Sequence, residues 1–524
     1  MLARLCLTVL ATSIVFGLLP RRVDAQALYY RSIPIGERAM GLGGAYTGIA
    51  NDPSATYYNP AGLLSGGRFE LLGSLSSIVW EKQKIENAFT AEGVNRDLES
   101  SRTTTIPHFV GTVVKFGKKK FGDHRYAIAY SSFEVERERF STGFTQIEQE
   151  GSADLRLTED YRMRWWGVSF AMQLKKKLSL GISAFLTNQS DGYGEDIGLA
   201  EGGTLGEDGV RTGGQSTTSS TGLGAEAWGL LFRLGALYRI NPQWQLGVMF
   251  QPPGAPMKET GSVYRRLTAD AQDADSTYFL FDQGDFEANL PVPFELRAGV
   301  EYKIDALTTL SVDVAVTGPV RSKQVIEVDA DVPALGAYFS NSTERRVTPN
   351  AAIGVEHLFG KVVVAGGLFT NISAAPNVPE TTQVYTPPQI STYAASLSVG
   401  LDTNGYRLTL GATGYFGRGN ALAFTVDREA QVLGYRRTKS NVSSVILYIA
   451  GAVSVASKGA KQVQERYKEH KAIKRNGDAD TDADTDTDAD TDTDTDTGTD
   501  ADTATPFGGR RLPVSPRRMH TRAQ

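Results

Sequence analysis

Few side chains in this sequence are arranged for covalent or acid–base chemistry. Hydrolysis of a lipid would need a nucleophile with a base beside it. His108, His124 and His357 lie in or beside segments with strand character and have no recognisable partner motif. The single cysteine, Cys6, lies in an apolar leader. The sequence therefore predicts no catalytic residue and no cofactor, and a non-enzymatic protein is the main hypothesis over a lipid hydrolase.

A repeat of aspartate with threonine or alanine occupies residues 478–502 and contains 12 Asp. Carboxylates are calcium ligands, but the EF-hand pattern requires a glycine directly after the third aspartate and a later glutamate. Gly498 is displaced from that position and the glutamate is absent. The repeat, with the basic stretches around it, predicts no metal site but a disordered periplasmic tail over residues 458–524.

Aromatic side chains in a long polar connection could bind an apolar ligand. Four consecutive apolar or aromatic residues occur at Tyr278, Phe279, Leu280 and Phe281, and Phe286 follows. Exposed apolar residues in a loop require an explanation. They could form an outer capture site for a hydrophobic ligand, or they could pack against neighbouring loops. The sequence leaves both interpretations open.

Three arginines, Arg233, Arg297 and Arg407, fall on the polar faces of alternating segments. Such side chains could contact the carboxylate of a ligand head group. They could equally form ion pairs across a lumen, for instance with Glu295 or Glu301. Both interpretations remain open at the level of sequence.

The elements that carry these residues have strand periodicity. Between Pro293 and Lys303, one face holds Phe294, Leu296, Ala298, Val300 and Tyr302, and the other holds Glu295, Arg297, Gly299 and Glu301. An apolar face opposite a polar face suits a strand between lipid and a polar lumen. Period-2 alternation predicts fourteen strands, at 68–80, 105–117, 122–135, 160–174, 177–188, 226–239, 243–252, 292–303, 307–317, 346–358, 361–371, 390–402, 405–416 and 443–455.

Short turns and long connections alternate along the chain. The six turns have only a few residues, whereas the seven long connections, from 81–104 to 417–442, have 18–39 residues. This alternation is typical of outer-membrane barrels, and soluble sandwiches or propellers rarely have so many long loops. The segment 420–427 also alternates and is interpreted as part of the seventh loop or a strand extension. The predicted fold is all-β, a 14-stranded antiparallel transmembrane β-barrel over residues 67–457.

The N-terminus and the composition fit export to a membrane. An apolar run of 15 residues from Leu5 to Leu19, followed by small residues around Ala25, predicts a signal peptide over residues 1–25. No later apolar stretch approaches the 18 residues of a membrane-spanning helix. The formal net charge of −5 gives no reason to expect nucleic-acid binding.

Residues 26–66 do not alternate and are rich in glycine. A 14-stranded barrel has a lumen too wide for its own side chains to fill, so a plug is expected. The segment contains Gly-Leu-Gly-Gly-Ala-Tyr, Asp52-Pro53-Ser54-Ala55 and Asn59-Pro60-Ala61. With the signal peptide and the strand count, these motifs resemble the N-terminal hatch of the FadL/OmpP1/TodX family of outer-membrane transporters of hydrophobic compounds.

The resemblance implies a hatch whose residues control a ligand path, here Met40, Tyr46, Tyr57, Tyr58, Asn59 and Pro60. It also implies ligand capture at the third and fourth outer loops, and lateral release through a gap made by an inward kink of the third strand. The third strand here, Gly122 to Val135, has no proline and no internal glycine, so the sequence does not show that kink.

The predicted function is passive uptake of long-chain fatty acids or aromatic hydrocarbons across the bacterial outer membrane. The expected partners are a hydrophobic small molecule, outer-membrane lipid and lipopolysaccharide, and the barrel-insertion machinery during assembly. No nucleic-acid partner is expected. The alternative is a barrel of related shape that serves as a scaffold for secretion or surface-protein attachment.

Overall fold

The computed structural model describes the body of the chain. It covers residues 33–65, 68–91, 94–106, 109–117, 124–148, 151–201, 204–205, 211–212, 214–271, 274–321, 323–326, 343–382, 386, 388–403, 405–427 and 432–455. The predicted signal peptide and the Asp/Thr tail lie outside the described residues.

Most of the described residues are in antiparallel strands. The strands are β1 Phe69–Ala91, β2 Val94–Ile106, β3 Phe109–Phe116, β4 Tyr126–Glu148, β5 Gly151–Lys175, β6 Leu178–Glu201, β7 Thr204–Leu205, β8 Arg211–Thr212, β9 Gln215–Arg239, β10 Trp244–Gln251, β11 Ala255–Ala271, β12 Ala274–Phe286, β13 Glu295–Lys303, β14 Thr308–Thr317, β15 Thr348–Phe359, β16 Val362–Asn371, β17 Thr381–Thr382, β18 Gln389–Thr403, β19 Tyr406–Asp427 and β20 Val432–Val455.

These strands form a closed barrel of fourteen. Three barrel strands are interrupted, so that β2 with β3, β10 with β11, and β12 with β13 form the second, seventh and eighth. The two-residue strands β7, β8 and β17 lie outside this count. Pairing of β1 with β20, from Phe69 opposite Val455 onward, closes the barrel. The predicted fold and strand count are confirmed.

The two faces of the wall differ as the alternation predicts. On β18, Leu397 is 59% exposed whereas the neighbouring Ser396 is 7% exposed. On β13, Leu296 is exposed outward while Glu295 and Arg297 are buried inside. The same alternation recurs in the middle part of the barrel strands, so an apolar belt surrounds the outside there and polar side chains face the lumen.

Most predicted long loops are extensions of the barrel strands. The connection 81–104 is an ordered hairpin of β1 and β2, and β19 continues to Asp427, so the segment 420–427 is a strand extension. The opposite end of the barrel has the short turns, as predicted. The sequence did not predict the hairpins as strands, because their outer faces carry ion pairs such as Lys82 with Glu99 and not the apolar residues that make the alternation visible. We refer to the two ends as the hairpin end and the turn end.

Residues 33–65 form a plug inside the barrel. It contains two short helices, α1 Glu37–Gly41 and α2 Ala55–Tyr58, and a 3₁₀ turn Pro60–Leu64. Gly43 and Gly44 end α1 with positive φ angles of 63° and 79°, a conformation that side-chain-bearing residues rarely adopt. No helix in the described part of the chain is long and apolar enough to cross a membrane.

Candidate functional site

The plug is attached to one side of the wall by buried polar contacts. The Nε and Nη2 atoms of Arg38 donate to the two carboxylate oxygens of Glu356 in β15, at 2.8 Å each. Asp313 of β14 accepts hydrogen bonds from the backbone N–H groups of Tyr46 and Thr47, at 3.0 and 2.8 Å. Because these groups are buried, the charge-assisted contacts hold α1 and the following turn firmly against β14 and β15.

Asn59 connects three parts of the molecule although its side chain is fully buried. Its amide nitrogen donates to the carbonyls of Thr47 in the plug and Ala236 in β9, at 3.1 and 2.9 Å. Its oxygen accepts from the Ala61 N–H and so caps the 3₁₀ turn, with Pro60 at the first position. The Asn-Pro-Ala motif is therefore a joint between plug and wall.

Two glycines in the wall leave room for this joint. A Cβ atom on Gly235 of β9 would lie 2.2 Å from the Asn59 side-chain oxygen. On β6, a Cβ atom on Gly181 would lie 2.4 Å from the Pro60 carbonyl carbon. Glycine at these inward positions lets the plug backbone approach the wall directly.

Another side of the plug meets the wall through aromatic rings. Tyr57 packs edge-on against Phe133 of β4 at 5.6 Å and lies 5.8 Å from Trp165 of β5. Phe133 also contacts Phe109 and Phe185, at 5.7 and 5.6 Å. We call these five rings the aromatic contact. These ring contacts are apolar, unlike the charged attachment at β14 and β15.

Two of the three predicted arginines lie against this contact. The Arg233 guanidinium stacks 4.0 Å from the Tyr57 ring, donates to the Tyr57 carbonyl, and pairs with Glu295 at 2.7 Å. Arg297 also pairs with Glu295 and lies 5.3 Å from the Tyr58 ring. The observed partners of both side chains thus belong to the protein, as the ion-pair interpretation expects.

Arg407 of β19 lies near the turn end and pairs with Asp402 at 2.8 Å. A carboxylate oxygen of Glu37 in α1 is 4.0 Å away. Burial raises the pKa of the Glu37 carboxyl to about 7, although the nearby Arg407 opposes this shift. Protonation of Glu37 near neutral pH would therefore change the charge between plug and wall.

The barrel wall is interrupted beside the aromatic contact. Among the described residues, which omit 107–108, β4 pairs with β3 up to Phe133; beyond Phe133, β4 pairs with β5 and β2 pairs with β1. The register between β4 and β5 shifts between Glu134 and Glu136, so Val135 is an extra, bulged residue. Bulges bend a strand and end its pairing. We call the unpaired region between β2 and β4 the lateral gap.

A cavity of about 120 Å³ lies in the lumen next to the lateral gap. Its apolar wall includes Val79, Ile390 and Ile446, and its polar wall includes Arg102 of β2 and Arg137 of β4. Ile33, at the start of the described plug, also lines it. An apolar cavity of roughly 150 Å³ can admit benzene, so this space suits a small apolar group beside a polar one.

The predicted outer residues lie on the hairpin of β11 and β12. Tyr278 and Leu280 face outward and are 60% and 52% exposed. Phe281 and Phe286 pack against a buried cluster that includes Val263 and Ile326. The structure does not describe the side chain of Phe279. Two of these residues are therefore exposed and two are packed, and ligand capture at this hairpin stays a prediction.

The structure brings the predicted plug residues together and separates them from the outer hairpin. Met40, Tyr46, Tyr57, Tyr58, Asn59 and Pro60 are all buried within the lumen. Sequence reasoning missed Asp313, Glu356 and Val135. Asp313 and Glu356 could have been noticed as carboxylates on inward positions of short strands, whereas Val135 carries no signal of its own.

Comparisons with solved structures agree with this architecture. A FadL homologue of Pseudomonas aeruginosa aligns with 81% of this chain and 99% of its own length, with a TM-score of 0.52 and 12% sequence identity. A mutant of the monoaromatic hydrocarbon channel TodX aligns with 80% of this chain and 98% of its own, with a TM-score of 0.51 and 14% identity. The chain has the fold of these two proteins. No protein-family model and no curated protein matches it.

Proposed function

We propose that this protein is a bacterial outer-membrane channel for passive uptake of hydrophobic molecules, such as long-chain fatty acids or aromatic hydrocarbons. The observation that carries the proposal is the lateral gap beside a plugged lumen. A plug blocks straight passage, whereas an interrupted wall offers an apolar ligand an exit into the bilayer. The similar monoaromatic hydrocarbon channel TodX supports aromatic hydrocarbons as ligands by analogy of fold.

Placement in a membrane follows from the outward face. Large apolar side chains are exposed on all sides of the barrel, for example Val168 at 59% and Leu410 at 54%. A continuous belt of this kind is unfavourable in water and typical of barrels that contact lipid. The domain boundaries proposed for the precursor remain a signal peptide over 1–25, a hatch over 26–66, a barrel over 67–457 and a tail over 458–524.

The proposed path begins at the exposed residues of the outer hairpin, Tyr278 and Leu280. A captured ligand then enters the lumen cavity, where Arg102 and Arg137 lie opposite the apolar wall. Movement at the aromatic contact opens the way to the lateral gap. Contacts with a ligand at Met40, Tyr46 and Pro60, and with a carboxylate at Arg233, Arg297 or Arg407, belong to this proposal.

Deleting Val135 tests the proposal directly. Removal of the bulged residue places Glu134 and Glu136 in continuous register with Arg164 and Met163. Every other residue of the strand then keeps the face of the sheet, lumen or lipid, that it has in the parent protein. Uptake of labelled oleate and of labelled toluene is measured in cells that lack their own channels. We expect the deletion to abolish most uptake and the Val135→Ala control, which keeps the bulge, to retain it.

Folding of each variant in the outer membrane is checked by its heat-dependent electrophoretic mobility. Equal uptake by the deletion and the parent protein would contradict lateral release. If a folded parent protein takes up neither compound, the scaffold hypothesis replaces the channel, and binding of proteins to the hairpin end becomes the next measurement.

A further inference from the structure

The wall has a second interruption, in the eighth barrel strand. Between β12 and β13, residues 287–291 leave the wall and turn toward the lumen, and the chain rejoins the wall at Val292, whose carbonyl accepts from the Gly254 N–H at 2.9 Å. The Asn289 N–H donates to the Val325 carbonyl at 2.7 Å, and the inward-facing Gln189 side chain donates to the Leu290 carbonyl at 2.7 Å. Ala288 and Leu290 are buried in consequence. The eighth strand is therefore absent from the wall over this stretch.

The neighbouring strand is left with one free edge. β11 pairs with β9 from Ala255, but its pairing with β12 begins only at Gly261. A cavity of about 410 Å³ occupies the space beside Ala255–Thr260. We call it the wall recess. Its volume falls in the range of about 300–1,000 Å³ that is usual for small-molecule sites.

The wall recess has an apolar floor and a charged rim. Leu230, Pro256, Leu290 and Val292 contribute apolar surface, whereas Arg321 and Lys323 contribute cations. Leu290 also lines a small inner cavity with Tyr161 and Asp191. Residues near Leu290 thus form a thin partition between the recess and the lumen.

The position of the wall recess along the barrel is marked by two tryptophans. Trp228, which lines the recess, stacks on Trp166 with ring centres 6.0 Å apart and planes at 15°. Rings of aromatic residues in barrels of this kind lie at the membrane interfaces. If the barrel spans the membrane as proposed above, the recess opens where acyl chains meet head groups.

The charged side chains on the rim differ in the contacts that they make within the protein. Among the described residues, neither Arg321 nor Lys323 is in an ion pair; the Lys323 ammonium donates weakly to the Asn289 side chain at 3.4 Å. Glu259 is turned inward and accepts from the Leu290 N–H at 2.9 Å. Glu287 is exposed on the rim. The cations are therefore available to an anion, and Glu287 opposes it.

We infer that the wall recess binds an amphiphile with one alkyl chain on its floor and an anionic head group at Arg321 and Lys323. The apolar residues shield the chain, and the two cations hold the head group at the interface. A free fatty acid and an anionic membrane lipid share this chemistry. The inference rests on the membrane placement proposed above and not on transport through the lateral gap.

Photolabelling of the full-length protein in lipid bilayers tests the inference. The probes are palmitate with a diazirine near the chain end, and phosphatidylglycerol with the same group. Labelled peptides are identified by mass spectrometry. We expect label between Ala227 and Leu230 and at Ala255 and Pro256. Palmitate labelling alone assigns a fatty-acid site, and labelling by both probes assigns a site for membrane lipid as well.

Paired variants identify the two parts of the site. Reversing both rim cations, Arg321→Glu with Lys323→Glu, should lower labelling about tenfold, which corresponds to about 1.4 kcal/mol of binding free energy. The control Lys175→Glu with Lys361→Glu makes the same charge change at exposed positions of the turn end and should not change labelling. Ala255→Trp should fill the mouth, whereas Met257→Trp, at a position 63% exposed and outside the recess, should not.

The variant Glu287→Gln tests whether the bound head group is anionic or zwitterionic. Removal of its negative charge should strengthen labelling by palmitate. Weaker labelling in Glu287→Gln, or equal competition by palmitate and a long-chain ammonium, would overturn the inference, as would label that is absent or unchanged by the rim reversal. Because the uptake assay with the Val135 deletion is independent, failure of either proposal is recognised separately.

Discussion

The ion pair between Arg38 and Glu356 should determine how firmly the plug is held. It is a bidentate contact between α1 and β15, and the two side chains are only 12% and 16% exposed. Arg38 also donates to the Asn51 side chain at 2.7 Å, so its loss disturbs the plug internally as well. Arg38→Ala would leave the Glu356 carboxylate buried without its partner. Removal of one member of such a pair typically costs about 3–5 kcal/mol.

Cysteine labelling can measure this cost as an opening of the plug. Cys6 is the only native cysteine and precedes the proposed cleavage site, so one introduced thiol gives a unique signal. Ala55→Cys places that thiol in α2, where the native side chain is fully buried. If labelling by a maleimide requires local opening, its rate follows the opening free energy. We expect Arg38→Ala to accelerate labelling roughly 100- to 4,000-fold, since each 1.4 kcal/mol is tenfold.

Two controls distinguish the effect of an unpaired buried charge on the labelling rate from the effect of general destabilisation. Lys84→Ala removes an exposed pair with Asp97 on the outer hairpin and should change the labelling rate less than about fivefold. The double variant Arg38→Met with Glu356→Leu removes both charges and should restore slow labelling, because an apolar pair of similar size avoids the buried unpaired carboxylate. Fast labelling in the double variant, or slow labelling in Arg38→Ala, would refute the reasoning.

Three further predictions use the same barrel. Asn59→Ala removes the contacts that join the plug to β9, and it should increase labelling of the thiol introduced at Ala55 by an amount equivalent to about 2–4 kcal/mol. The raised pKa of Glu37 means that docking is most stable below about pH 4.5 and weakens as pH rises through about 7, and Glu37→Gln should flatten that labelling profile. Tyr278→Ser with Leu280→Ser should slow uptake at low ligand concentration and leave the rate at saturation unchanged, measured with labelled oleate.

The strands could be predicted because the membrane wall repeats one simple rule. A residue on an outward position must be apolar and its neighbour must suit the lumen, so Leu296 and Glu295 identify their faces without tertiary information. The same rule fails at the hairpin end, where both faces of β1 and β2 meet polar surroundings. There only backbone pairing reveals that residues 81–104 continue the strands.

The plug residues could be named from the motif, but their partners could not. Asn59 was singled out by its place before Pro60, whereas its contact with Ala236 joins residues 177 positions apart. Asp313 accepts hydrogen bonds from the plug backbone, and Glu356 pairs with Arg38. Nothing in the local sequence distinguishes these two residues from other lumen-facing carboxylates. A single sequence carries no pairing information over such distances.

The lateral gap could not be predicted from the sequence, for a different reason. A kink usually draws attention through proline or glycine, and the third barrel strand has neither between Tyr126 and Val135. Here a bulge at a valine produces the irregularity, while Phe133 packs into the aromatic contact below it. Any residue can be bulged in a strand, so the feature is encoded by packing around the position and not by the residue type.

The two kinds of plug contact favour a direction of movement. On the side of β14 and β15, opening would expose or separate buried charges, for instance at Asp313 and Glu356. Around Phe133 and Trp165 the ring contacts of Tyr57 are apolar, and an apolar ligand could replace them, while the hydrogen bond from Arg233 to the Tyr57 carbonyl stays in place. Under the proposed function, we therefore expect the polar side to act as the fixed support and the aromatic side to move. Because the aromatic side adjoins the lateral gap, a ligand that displaces it would then lie next to the unpaired region of the wall.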